Sequence, residues 1–268
     1  MTRWQAVFSD VDGTLFNNEH EMTPKTHSAI RKIIDDGLLF IIASGRAPYG
    51  ITWIADKYQL NSCFISFGGA LILDEQRRVL FEQGLSKNEA LEIASFAKER
   101  GFDLGYGIFN RDYWICSDKN NKGVIAEENL IHCKAREDSI ESLNDDVIVD
   151  KVLCMCRPEE IMSIRDQMCE RFPLLSITTS SSTLLEINSG GINKAQALLK
   201  LCQLKGISVE NTIAFGDNFN DEPMLKAAGR GVLMNNAPEA LKADFDYITA
   251  DNNSDGIASE LERLGLLK

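Results

Sequence analysis

Seven residues in succession, LLFIIAS at positions 38–44, offer no polar side chain before the closing serine. A strand with one face in water alternates apolar and polar residues. A run without alternation must be covered on both faces, as in a parallel sheet flanked by helices. QAVFS (5–9), TIAFGD (212–217) and GVLMN (231–235) read as further strands, and DYITA (246–250) as another. The stretches between them read as helices. Thr23-Pro24 opens one through Asp36, with Gly37 just past its end. A second covers about 48–58, and NKAQALLKLCQLKG, DEPMLKAAG, APEALKAD and DGIASELERLG supply the later ones. This alternation predicts a doubly wound, Rossmann-like α/β parallel sheet, with functional residues at the carboxyl ends of its strands.

The middle of the chain has a different rhythm. Ser86 with Glu89 forms a capping-box pattern for a helix to Arg100. Strand-like segments follow at about 102–109, 112–116, 147–156 and 177–187, with a second helix from near Pro158 to about Arg171. We read this as an α/β domain at 82–187 inserted into a core made of 1–81 and 188–268. The glycine-rich GFDLGYGIF and the aromatic DYW at 112–114 are candidates either for a pocket lining or for the interior of that inserted domain.

Composition sets limits on partners. The 28 Lys and Arg against 40 Asp and Glu leave a net charge of −12, which argues against non-specific binding to nucleic acid or an anionic membrane. No apolar run approaches membrane-spanning length, and the first residues, MTRWQAVFSD, lack the features of a secretory signal; a cytoplasmic protein is expected. The seven cysteines show no zinc-site spacing and read as buried, reduced thiols. His20, His27 and His132 are scattered, which speaks against a histidine-based metal site or triad. Oligomeric state has no signature.

Four short motifs fall at strand ends or loops of the interrupted domain: DVDGT (10–14), SGR (44–46), Lys194 in GGINKAQAL, and GDNFND (216–221). Singly, each has an ordinary reading. Asp-x-Asp-Gly suits a solvated turn, SGR a loop with an incidental cation, Lys194 a surface position, and GDNFND a helix cap. Together they form one chemistry. In an extended chain residues 10 and 12 share a face, so their carboxylates are expected side by side, a repulsion that a cation, a proton or a reaction must offset. Acidic oxygens suit Mg²⁺. Asp10, ionised at neutral pH, is a nucleophile able to carry an acyl-phosphate. Asp12, its proton affinity raised by its neighbour, suits a general acid for the leaving alcohol and then a base for water. Asp217 and the Asp12 carbonyl complete the metal site, with Asp221 in support. Ser44, the Gly45 amide, Lys194 and Asn220 are the donors left to cradle a phosphoryl group.

The four motifs in this order resemble the haloacid dehalogenase-like superfamily of phosphohydrolases, and most closely its Cof-type sugar-phosphatase branch, whose α/β cap lies between the second and third motifs. The resemblance covers essentially the whole chain and extends to the tail, GVLMNNAPEALKADFDYITADNNSDGIASEL, with Asn236-Ala237 and Asp255-Gly256. The 147 residues between Arg46 and Lys194 leave room for such a cap. The resemblance implies a Mg²⁺-dependent phosphatase acting on a small phosphorylated metabolite, a sugar phosphate or a phosphorylated cofactor, through an aspartyl-phosphate. It implies Asp10 as nucleophile and Asp12 as acid/base. Mg²⁺ would be held by Asp10, the Asp12 carbonyl and Asp217, and phosphate by the Val11 backbone, Ser44, Gly45, Lys194 and Asn220. A cap of this kind closes over its core and excludes water and larger substrates. Two positions depart from the branch: Ser44 stands where Thr is frequent, keeping the hydroxyl, and Gly68-Gly69 stands where Asn-Gly is frequent, losing an amide. Arg46 is either a substrate- or loop-positioning cation or a structural ion pair. A phosphosugar mutase shares the opening motif, and a phospho-accepting regulatory module shares acids, Mg²⁺ and a lysine; the first would release an isomer, and the second needs no acid at position 12.

Overall fold

The computed structural model describes residues 4–267 except 112 and 132, so Asp112 of the DYW stretch and His132 lie outside the described residues. The chain begins β1 (Ala6–Ser9), α1 (Pro24–Asp35), β2 (Leu39–Ala43), α2 (Tyr49–Tyr58), β3 (Ser62–Ser66), β4 (Leu71–Leu73) and β5 (Val79–Glu82). The central stretch adds β6 (Leu85–Ser86), α3 (Lys87–Glu99), β7 (Gly105–Asn110), β8 (Tyr113–Cys116), α4 (Lys122–Ile131) and β9 (Arg136–Glu137). It continues with β10 (Ile148–Val149), β11 (Lys151–Met155), α5 (Ile161–Arg171), β12 (Ser176–Thr179) and β13 (Leu184–Asn188). The chain closes with α6 (Lys194–Lys205), β14 (Thr212–Gly216), α7 (Glu222–Ala227), β15 (Arg230–Leu233), α8 (Glu239–Lys242) and α9 (Gly256–Arg263). Packing divides it into two units: Met1–Gly45, Ile51–Leu80 and Asn193–Lys268 in one, and Arg46–Gly50 with Phe81–Ile192 in the other.

The first unit is built on a seven-stranded sheet in the order β15-β14-β1-β2-β3-β4-β5. β1, β2, β3, β14 and β15 run parallel, and β4 returns antiparallel to β3. The unalternating run of β2 is enclosed as two covered faces require: Phe40, Ile41, Ile42 and Ala43 are fully buried, and Leu39 at its start is half-buried. β1 is the middle of the five parallel strands, where the chain order reverses, and Ser9 pairs with Ile42 on one side and Phe215 on the other. The residues that follow β1, β2 and β14 therefore leave the sheet level with one another at its carboxyl edge. α1 starts where Thr23 accepts a hydrogen bond from the Thr26 amide at 3.2 Å, with Pro24 in its first turn.

The second unit holds a six-stranded sheet, β12-β13-β11-β7-β8-β9, antiparallel except for the β8–β9 pair, and a small β10–β6 ladder. One face of the larger sheet, carrying Ile108, Ile115, Val152, Cys154, Leu185 and Ile187, packs with Ala90, Ile93 and Ala97 of α3 and Ile161, Ile164 and Met168 of α5. Phe109 and Trp114 stack at 4.9 Å between ring centroids and are buried within the unit. Five of the seven thiols are buried; burial pushes that of Cys156 up to about 11.

Several sequence-based boundaries shift. The strand expected at 147–156 is broken at buried Asp150 into β10 and β11, and that at 177–187 is the β12–β13 hairpin. α4 forms where the Asn-Asn-Lys-Gly composition reads as a turn: its start is fixed by Asn121, whose side chain accepts the amides of Gly123 and Val124. DYITA forms no strand; Ile248 makes an isolated bridge to Leu233, and Tyr247 and Ile248 are exposed, so the segment lacks the covered faces that a parallel strand needs.

Candidate active site

Asp10 follows β1 directly, and its amide continues the ladder by donating to the Phe215 carbonyl at 3.0 Å. The chain then turns back on itself: Phe16 N–H donates to the Val11 carbonyl at 2.9 Å. Gly13 makes this turn at φ +78°, where a side chain would also run into the Asp217 carboxylate. After β14, the loop Asp217–Asp221 closes on one side chain, since Asp221 Oδ2 accepts the amides of Asp217 and Asn218, each at 3.1 Å. Lys194 is the first residue of α6, whose N-cap is Asn193. Gly69, at φ +126°, lets the loop after β3 approach the Asn193 carbonyl, which the added carbon of any other residue would meet at 2.6 Å.

These elements bring four charged side chains together. Lys194 Nζ lies 2.5 Å from Asp10 Oδ1 and 2.5 Å from Asp221 Oδ1, and all three residues are buried. Asp10, Asp217 and Asp221 each place one carboxylate oxygen within 4.8 Å of the others. Three acids against one lysine leave a negative excess in a site where Asp10, Asp221 and Lys194 are buried and Asp217 is half-buried. Burial first, and Asp221 next, push the Asp10 carboxyl up to about 8, with Lys194 opposing. Burial and Asp221 push Asp217 up to about 6. Burial works against the Lys194 ammonium, but Asp10 and Asp221 outweigh it and hold its pKa above the ordinary lysine value. A cluster of hard oxygen donors short of positive charge fits Mg²⁺, which prefers carboxylate and carbonyl oxygens.

The expectation for Asp12 needs correction. β1 ends at Ser9, so the alternation that would align residues 10 and 12 does not extend to them. The Asp12 side chain is 49% exposed, with His20 Nδ1 3.8 Å away, and its charge acts on Asp217, whereas the leading charges on Asp10 are those of Asp221, Lys194 and Asp217. The acid crowding Asp10 is Asp221, 211 positions further along the chain.

Of the phosphate-binding candidates, Val11 and Ser44 are buried, and Asn220 is exposed on the loop after β14. Ser44 leaves β2 with its amide on the Ile65 carbonyl and its carbonyl on the Gly68 amide, both at 2.9 Å, with Gly45 next in the chain. Arg46 groups with the second unit, where its charge acts on Glu127. His27 is engaged by the Tyr58 carbonyl at 2.8 Å and takes no part in the acid cluster. Two further residues emerge. Thr14 Oγ1 donates to Asp217 Oδ1 at 2.9 Å, and Asn236 Nδ2 donates to Asp217 Oδ2 at 3.3 Å. Thr14 stands in the DVDGT motif without an evident role there, and Asn236 is marked in the sequence by the Asn236-Ala237 pair of the tail, which assigns it no role.

Residues 7–261 match the haloacid dehalogenase-like hydrolase family. The chain belongs to this family. It is 32% identical over 255 residues to the 5-amino-6-(5-phospho-D-ribitylamino)uracil phosphatase YcsE of Bacillus subtilis, an alignment spanning 94% of this chain and 92% of that one. Its fold is similar to the crystal structure of a haloacid dehalogenase-like hydrolase from Bacteroides thetaiotaomicron, with a TM-score of 0.89 and 28% identity over 97% of this chain and 99% of that one. It is also similar to the subclass IIB sugar phosphatase BT4131, with a TM-score of 0.81 over 98% and 99% of the two chains; at 24% identity that likeness is one of fold. The protein is thus an enzyme of a hydrolase family whose named relatives are phosphatases. Among the described residues no helix is long and apolar enough to cross a membrane.

Proposed function

We propose that the protein is a Mg²⁺-dependent phosphomonoesterase that works through an aspartyl-phosphate on Asp10 and acts on a small phosphorylated metabolite. The observation that carries this reading is the convergence of Asp10, Asp217 and Asp221 around Lys194 at the carboxyl edge of a parallel sheet. Asp10, the Asp12 carbonyl and Asp217 would hold the metal, which supplies the missing positive charge and neutralises phosphoryl oxygens. Lys194 fixes one Asp10 oxygen and opposes the burial that raises its carboxyl, and the charge of the metal would complete its ionisation. The other oxygen attacks phosphorus, the ester bond breaks, and the alcohol leaves with a proton from Asp12. Asp12, now a carboxylate, takes a proton from water; the water oxygen attacks the acyl-phosphate phosphorus, releasing inorganic phosphate and restoring Asp10. Val11, Ser44, Gly45 and Asn220 are the donors we assign to the phosphoryl oxygens. Asp221 closes the metal loop and anchors Lys194. We assign the choice of leaving group to the inserted domain, with Arg46 in support. The ribityl phosphate in the name of the relative YcsE makes phosphorylated polyols the first class to test.

Phosphate release from a panel of phosphorylated sugars, polyols and cofactors, with Mg²⁺ and with EDTA, tests the reading. Release is expected only with Mg²⁺. Asp10→Asn should lose hydrolysis of p-nitrophenyl phosphate by about 10³-fold or more. Near-normal turnover by the Asp10→Asn protein would overturn the nucleophile assignment, and an isomeric sugar phosphate as product would reassign the enzyme as a mutase.

A further inference from the structure

Asn236 makes an arrangement that the catalytic reading leaves unexplained. β15 pairs Leu233 with Gly216, and the Met234 amide donates to the Gly216 carbonyl at 2.9 Å, so the loop after β15 runs beside the loop that carries Asp217. From there Asn236 Nδ2 donates to the Gly13 carbonyl at 2.8 Å and to Asp217 Oδ2 at 3.3 Å, while its Oδ1 accepts the Asn252 amide at 3.1 Å. One side-chain amide thereby joins three segments distant in sequence. Its orientation is decided by its partners, because the Asn252 N–H can only donate and the Gly13 carbonyl only accept. Asn252 is itself buried, with Nδ2 on the Phe16 carbonyl at 2.9 Å and on Asn18 Oδ1 at 3.2 Å, so the tether ends on the same loop that follows Asp10 and Asp12.

We infer that Asn236 is a positioning residue for the metal site: it holds the Asp217 carboxylate and the DVDGT loop in the geometry that receives the cation. The inference rests on the Mg²⁺ reading proposed above. Asp217 has both oxygens held, Oδ1 by Thr14 and Oδ2 by Asn236, which fixes the plane of the carboxylate and leaves a further lone pair on each oxygen. The Gly13 carbonyl belongs to the peptide after that of Asp12, so clamping it restricts the turn that presents the Asp12 carbonyl. Hydrogen-bond partners of this kind set ligand direction, and their loss lowers metal affinity without removing a ligand.

The test is isothermal titration of the full chain with MgCl₂, alongside kcat for p-nitrophenyl phosphate as Mg²⁺ is varied, for the unsubstituted protein, Asn236→Ala and Asn235→Ala. Asn235 is the exposed neighbour whose side chain makes none of these bonds. Asn236→Ala is expected to raise the Mg²⁺ dissociation constant about tenfold while kcat at saturating Mg²⁺ stays within about threefold. Melting temperature in EDTA should fall by about 2–5 °C, as for the loss of a hydrogen-bonding cap, leaving the protein folded at the titration temperature. Asn235→Ala should match the unsubstituted protein. Unchanged Mg²⁺ affinity in Asn236→Ala, or an equal loss in Asn235→Ala, would overturn the inference and leave the phosphatase reading standing. A protein that binds no Mg²⁺ before substitution would sink both.

Discussion

Lys194 shows how one side chain can be both structural and functional. Its ammonium is buried between Asp10 and Asp221, and without it three carboxylates face one another with no resident counter-charge. Removing one partner of a buried ion pair leaves an uncompensated charge, a loss of order 3 kcal/mol or more. Lys194→Met is therefore expected to lower the melting temperature in metal-free buffer by several degrees and to lower kcat about 100-fold or more at saturating Mg²⁺. Unaltered kcat in a folded Lys194→Met protein would remove the residue from the site. Much of this scale is legible in the sequence. Asp10, Ser44 and Asp217 stand at the ends of recognisable strands, so local patterning locates them. The orientation of Asp12 is not legible, because it depends on where β1 stops, and neither is the reach of Asn236, because its partners come from other segments.

At the scale of elements, local chemistry decided the ends of helices well. The pattern Ser86-x-x-Glu89 is a complete capping box: the Glu89 amide donates to Ser86 Oγ at 3.2 Å, and the Ser86 amide to Glu89 Oε2 at 2.7 Å. Both donors would otherwise be orphans of the first turn. Ser86→Ala is expected to cost about 1 kcal/mol, read as a fall of about 2–4 °C in thermal denaturation. Catalysis should be untouched, and a change in kcat would mean that α3 has a role beyond packing. The elements that escaped prediction share a cause. α4 is started by a side chain folding back on its own backbone, and β10 and β11 divide at a buried acid; neither event leaves an apolar period behind.

For the molecule as a whole, that acid gives stability a dependence on pH. Asp150 is fully buried, accepts the Arg111 amide at 2.6 Å through Oδ2, and has no partner for Oδ1 among the described residues. Burial, aided by the charge of Glu82 and opposed by the Arg111 amide and guanidinium, raises its pKa to about 7. The folded state then holds a proton that the unfolded chain releases near pH 4, so this contribution favours folding fully below pH 4. It falls away as pH rises from 4 to 7 and is gone above that range. Asp150→Asn, neutral at every pH, should melt roughly 3–8 °C above the unsubstituted protein at pH 8, with the difference shrinking towards zero at pH 4–5. A difference that does not vary with pH would reject the buried-acid explanation.

The amino-acid order alone determined the class of fold and the chemistry on offer. An unalternating apolar run needs two covered faces, and short acidic and glycine-rich motifs mark where such strands end. Which acid crowds the nucleophile was settled only in three dimensions. The register that sets Ser9 beside Phe215, with α6 starting next to the loop after β3, brings residues 10, 194, 217 and 221 together. The physical reason is range: caps and periodicity act over a few residues, whereas the charge balance of a buried site depends on contacts between segments up to 211 positions apart.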